Sequence, residues 1–208
     1  MHIPLAETKN LKFLSFNDTL IEEESYNHNY DRNQWLYLPC HYSEYRYILG
    51  TKGNNPLVCI GINPSTAAPD DLDNTLKSVE RIAKFNGYDS FIMFNVYPQR
   101  ATNPNDMDKE LNEPLHRENI KAFEYILSRY GKQHKPAIWA AWGTIIEKRP
   151  YLRTCVLDMI HCGEKYGAKW YTVGTRSKAK GHPHHPLYLK SESVINSFDD
   201  ILEYLEKL

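Results

Sequence analysis

No uninterrupted apolar run in the sequence approaches the roughly 20 residues that a membrane-spanning helix requires, so no membrane contact is expected. A basic excess is also lacking: 25 Lys and Arg stand against 26 Asp and Glu, a formal charge of −1. Proteins that grip long stretches of duplex through phosphates carry such an excess, so the balance argues against a general DNA-binding module. A local nucleic-acid contact or a small ligand remains. Cysteine is scarce. Cys40, Cys59, Cys155 and Cys162 form no C-x-x-C pair and no zinc spacing, which argues against a disulfide framework. The opening residues, Met-His-Ile-Pro-Leu-Ala-Glu, have neither a basic stretch nor a long apolar one, so no secretory leader and a cytoplasmic location are expected. Internal repeats and low-complexity tracts are missing too.

What is present reads as an ordinary globular chain, 41% hydrophobic and 25% charged, and 208 residues suit one α/β domain. The 15 tyrosines concentrate near the start (Tyr26, Tyr30, Tyr37, Tyr42, Tyr45, Tyr47), where a packed layer with wet hydroxyls is expected rather than a base-stacking platform. Residues 1–34 are polar and mixed and read as irregular cover; residues 35–208 form the core. A short strand is expected at 45–49. Four apolar runs then have strand length: 57–62, 90–96, 136–142 and 169–173. Helical spacing falls between them, at 74–85, 117–130 and within 144–161, where Pro150 is expected to kink or split the helix. A last helix is expected at 197–205, capped by Ser197. This alternation predicts a central, mostly parallel four-stranded sheet with helices on both faces. Long polar loops follow the C-terminal ends of its strands, the edge where open α/β sheets bind ligands.

Four such segments carry candidate chemistry. In the first, Gly61 permits a tight strand exit and Pro64 fixes a turn that projects Asn63, Ser65 and Thr66 at the sheet edge, where amides and hydroxyls suit an anion or a water. Asp70, Asp71 and Asp73 follow; a metal or general-base role for Asp71 or Asp73 competes with helix capping and simple solvation. In the second, Asn95 ends an apolar strand and offers a donor and an acceptor side by side, the pattern that reads a pyrimidine edge; backbone bracing is the competing role. Tyr97 continues that segment toward the ligand side. Arg100 suits a phosphate or a salt bridge to a loop aspartate. In the third, Trp142 can wall a pocket or fill the core, and Gly143 allows close backbone approach. The fourth holds His182, His184 and His185 between prolines. Pro183 and Pro186 keep His182 and His185 extended, and a rigid histidine suits hydrogen-bond donation to a developing oxyanion. His185 is preferred because it directly precedes Pro186 and Leu187. No cofactor and no metal are assigned.

The strings GINPSTA (61–67), NVYPQRATNP (95–104), AAWG (140–143) and GHPHHPLYL (181–189) resemble the signature of a bacterial and phage family, domain of unknown function 1643. That resemblance spans roughly residues 35–190 and brings no activity with it. More distantly, the four segments are similar, in the same order, to those of the uracil-DNA glycosylases: a Gly-x-Asp/Asn-Pro loop, an apolar strand ending in Asn, a Leu-Leu-Trp-Gly-like strand and a His-Pro-Ser-Pro-Leu-like loop. This second resemblance implies a three-layer α/β/α glycosylase-like fold. It also implies that Asn63 positions a water, that Asn95 reads a base edge, and that His185 or His182 stabilises the departing base. The expected ligand is therefore a nucleobase, a nucleotide or a local stretch of nucleic acid. Asn63 stands where the most active members place Asp, and an amide cannot accept a proton as a base. A non-catalytic binding module and a metal-dependent hydrolase using Asp71, Asp73 and the histidines are the alternatives.

Overall fold

The computed structural model describes residues 1–131 and 135–208. Its strands are Trp35–Leu38 (β1), Ile48–Thr51 (β2), Pro56–Gly61 (β3), Ser90–Asn95 (β4), Ala137–Ala140 (β5), Lys169–Val173 (β6) and Ile195–Ser197 (β7). Its α-helices are Phe16–Ser25 (α1), Asn74–Phe85 (α2), Glu113–Tyr130 (α3), Pro150–Lys165 (α4) and Ile201–Glu206 (α5). The strands join in the order β1-β2-β4-β3-β5-β6-β7. The four apolar runs become the contiguous parallel centre, β4-β3-β5-β6. The sheet nevertheless has seven strands rather than four and is mixed rather than mostly parallel. β1 and β2 extend one side antiparallel, and β7 closes the other.

Side chains alternate across the sheet and define two apolar layers. Val58, Ile60, Ile92, Phe94 and Ile138 pack with Leu115, Phe123 and Ile126 of α3 and with Leu152 and Val156 of α4. Leu57, Cys59, Phe91, Met93 and Trp139 face the other way, toward Leu76, Val79 and Ile82 of α2. Every residue of β3 and β4 is buried, as continuous apolar runs in a doubly covered sheet must be. α2 forms where expected: the Asp73 carboxylate accepts from the Leu76 N–H at 2.9 Å, and the chain leaves at Gly87, whose φ of 82° suits glycine.

Four further expectations are corrected. Pro150 does not kink a helix; it opens α4 from the first turn, where a missing N–H is harmless, and a 3-10 turn occupies Gly143–Lys148 before it. Residues 1–34 are not all irregular. Ser15 caps α1, whose Phe16 ring packs 5.4 Å from Tyr125 of α3. Ser197 ends β7 rather than capping the last helix, which begins at Ile201. The tyrosine layer is packed, but its hydroxyls are not all wet. Tyr45 accepts from the Leu14 N–H and Tyr47 donates to the Leu14 carbonyl, each at 2.8 Å, which ties the N-terminal segment to the sheet edge. Among the described residues, no helix is long and apolar enough to cross a membrane.

A candidate ligand cleft at the strand ends

β3 and β4 end side by side, with Gly61 opposite Asn95, and the ladder continues as Val96 and Tyr97 donate to the carbonyls of Gly61 and Ile62 at 2.8 and 2.9 Å. Beyond these ends lies a cleft of about 400 Å³. Residues 61–66 and 73–76 form one wall; Asn95, Ala101, Thr102 and Pro104 form another; Arg46, His185 and Leu187 complete it. Asn63, Asn95 and His185, 122 residues apart at the extremes, therefore meet in one place (185 − 63). Ser65, Thr66, Pro64, Gly61 and Asp73 lie on the same lining.

Asn95 is the unusual residue. Its side chain is 1% exposed, and among the described residues neither its amide nitrogen nor its amide oxygen has a hydrogen-bond partner. Leaving such a group unsatisfied costs about 1–3 kcal/mol. Gly61 makes the room beside it: a Cβ there would sit 3.2 Å from Asn95 Oδ1 and 2.7 Å from Met93 Cε. The backbone of Asn95 is fixed from behind, where Asn119 Nδ2 donates to its carbonyl at 2.9 Å.

The loop after β3 is braced, not loose. Asn63 Nδ2 donates to the carbonyls of Ala101 (2.6 Å) and Pro64 (3.1 Å), which commits its nitrogen and leaves its Oδ1 without a protein donor among the described residues. Arg100 is fully buried and donates to the carbonyls of Ser65 and Ala67 and to the Tyr37 hydroxyl, with its guanidinium 4.2 Å from the Tyr42 ring. It holds the loop in place rather than reaching a phosphate or a loop aspartate. Asp73 borders the cleft while capping α2. Asp70 accepts from Trp35 Nε1 at 3.0 Å, and exposed Asp71 is off the lining, its backbone paired with Ala68.

The two histidines separate. His182 is 3% exposed and turned away from the cleft: Nε2 meets Glu147 at 2.7 Å and Nδ1 meets the Tyr204 hydroxyl at 3.0 Å. Trp142 donates to the same hydroxyl at 3.1 Å, so it too belongs to this anchor and not to the pocket wall. His185 lines the cleft. Its Nδ1 accepts from the Leu187 N–H at 3.3 Å, so in the neutral ring Nε2 carries the proton and can donate outward. Burial holds its pKa below the ordinary 6.5, against the pull of Asp73, and the ring is neutral at pH 7. Gly143 is off the lining; its φ of 60° favours glycine, whereas a Cβ there would make only an ordinary contact, 3.6 Å from His185 Cβ. Tyr97 is also off the lining. Its buried hydroxyl donates to Asp108 at 2.6 Å.

Sequence reasoning missed Arg46 and Asn119. Both had a signal: Arg46 interrupts the tyrosine-rich strand pattern at 45–49, and Asn119 interrupts the apolar stripe Leu115, Ala122, Phe123, Ile126 of α3. Asp71, Asp73 and the histidines form no metal-ligand cluster among the described residues. The cluster with suitable spacing there is Glu22, Cys40 and His41, outside the cleft lining. In comparison with known proteins, a family model described as "Protein of unknown function (DUF1643)" matches residues 46–187. No curated protein and no solved structure matches. The matched span takes in the first three segments whole and the fourth as far as Leu187.

Proposed function

The chain belongs to the DUF1643 family, and from that premise we propose that the cleft binds a pyrimidine-type nucleobase and that the protein is a glycosylase-like enzyme acting on a nucleobase, nucleoside or nucleic acid. The observation that carries the reading is the buried side-chain amide of Asn95, unpartnered among the described residues, on the lining of a pocket that also holds Asn63 and His185. A pyrimidine edge offers the complement, an N–H beside an exocyclic oxygen, and one amide satisfies both. A cleft of this size is within the range of small-molecule sites.

The glycosylase-like assignment draws support from the parallel centre of the sheet and from four site segments in the same order as in the uracil-DNA glycosylases. In this reading Asn95 fixes the base, the free Oδ1 of Asn63 orients a water, and His185 Nε2–H donates to the oxygen that gains charge as the base departs. A neutral imidazole suits that last role because it donates without bringing a full charge into the free cleft.

A second reading, a binding module without chemistry, is favoured by Asn63 itself, whose nitrogen is consumed in bracing and whose oxygen cannot take a proton. Titration calorimetry with uracil, thymine and cytosine tests the shared claim: at least one base binds, and Asn95→Ala abolishes the binding. Heat signals absent for every base and nucleoside would remove both readings. A base-release assay on uracil-containing DNA and on nucleosides then separates them, since only the enzyme liberates free base.

A further inference from the structure

Arg46 lines the cleft yet is 1% exposed, and no carboxylate lies within 4 Å of it among the described residues. Among the described residues, one protein acceptor is at hand, the Ala67 carbonyl at 3.1 Å from Nη1, and the buried Nε has no partner. Arg100 converges on the same carbonyl and, among the described residues, also lacks a carboxylate partner. Two guanidinium charges thus sit together under one loop, held by carbonyl and hydroxyl oxygens that do not neutralise them. Burial and the neighbouring Arg100 push the Arg46 pKa down to about 9, and Asp73 and Tyr37 act the other way. An uncompensated buried ion is expensive, and an ion of opposite charge against it offsets that cost.

We propose that Arg46 makes the floor of this cleft an anion site, and that the ligand is a pyrimidine nucleoside monophosphate whose phosphate lies against the Arg46 guanidinium. Other groups on the lining support an oxyanion there. The first turn of α2, a helix of 12 residues, borders the cleft with its positive end. Ser65, Thr66 and Thr75 also line the cleft, and the Ser65 hydroxyl pairs with that of Thr102 at 3.0 Å. Asp73 opposes an anion, but its carboxylate is held by the cap to the Leu76 N–H. The chain's net charge of −1 favours a compact ligand over a long polyanion. The pyrimidine half of this proposal rests on the Asn95 reading; the anion half stands on Arg46 alone.

The test compares deoxyuridine, deoxyuridine 5′-monophosphate, inorganic phosphate and a single-stranded deoxyuridine pentanucleotide by titration calorimetry on the unaltered protein and on Arg46→Gln and Arg46→Lys. The monophosphate is expected to bind at least about tenfold more tightly than the nucleoside, a typical margin for a charge-assisted phosphate contact. Arg46→Gln removes that margin, and Arg46→Lys keeps part of it. Equal affinity of nucleoside and monophosphate on the unaltered protein overturns the anion site and leaves the pyrimidine reading standing. Binding of phosphate and monophosphate with no response to the base or to Asn95→Ala does the reverse. Tighter binding of the pentanucleotide than of the monophosphate overturns the assignment to a free nucleotide. The ligand series on the unaltered protein is decisive by itself, so a poorly folding Arg46 variant does not protect the proposal.

Discussion

A buried amide with two idle polar atoms has a different signature from one that holds a fold together. If the protein uses Asn95 structurally, removing the amide lowers stability; if the amide waits for a ligand, removing it does not. Asn95→Leu keeps the approximate shape while deleting both unsatisfied atoms, an exchange that is close to neutral or stabilising. Its Tm is expected to stay level or rise by a few degrees while base binding disappears. Differential scanning calorimetry reads the first and titration the second, and a large fall in Tm would mark Asn95 as structural. His185 makes a second residue-level prediction. Because its folded pKa lies below 6.5, the unfolded chain binds more protons than the folded one between those two values. Its contribution to stability is thus complete above pH 6.5 and declines as pH falls through the window. A two-dimensional NMR titration of the imidazole should give a midpoint below 6.5, and a midpoint at or above that value contradicts the burial argument.

Elements differ in how far their own residues dictate them. β3 to β6 and α2 follow from local pattern, since continuous apolar runs and an Asp-capped stripe at helical spacing leave little choice. β7 is Ile-Asn-Ser and carries no such pattern. It is held by its antiparallel pairing with β6, and Asn86 reaches across from the end of α2 to accept from the Ile195 N–H at 3.1 Å and to donate to the Ser193 carbonyl at 2.9 Å. α1 is likewise set by Ser15 and by packing on α3, not by a strong stripe of its own. The same logic separates the histidines: His182 and His185 look alike in sequence, and Glu147, 35 residues from His182, decides which one is withdrawn. Asp73 is the element-scale test, because it serves both helix and cleft. Asp73→Ala is expected to cost about 1 kcal/mol in chemical denaturation through the lost cap, whereas Asp73→Asn, which caps equally well, should cost far less. Equal losses in the two variants would show that the charge, not the cap, is what matters at the start of α2.

Across the whole molecule, the informative feature is that segments far apart in the chain converge at one end of one sheet, while the side chains that hold them there point away from the cleft. Arg100 grips the first loop from beneath, Asn119 fixes the end of β4, and His182 with Trp142 and Tyr204 anchors the histidine segment. The motif strings marked loops of which three share one cleft lining, but could not divide lining residues from bracing ones, because that division depends on partners remote in the chain, such as Asn119 for Asn95 and Glu147 for His182. Base recognition by Asn95 is checked by soaking crystals of the protein with uracil. The base is expected in this cleft, with its N3 and an exocyclic oxygen within about 3.2 Å of the Asn95 amide. Uracil bound elsewhere, or seated in the cleft with the Asn95 side chain still unpartnered, would contradict it.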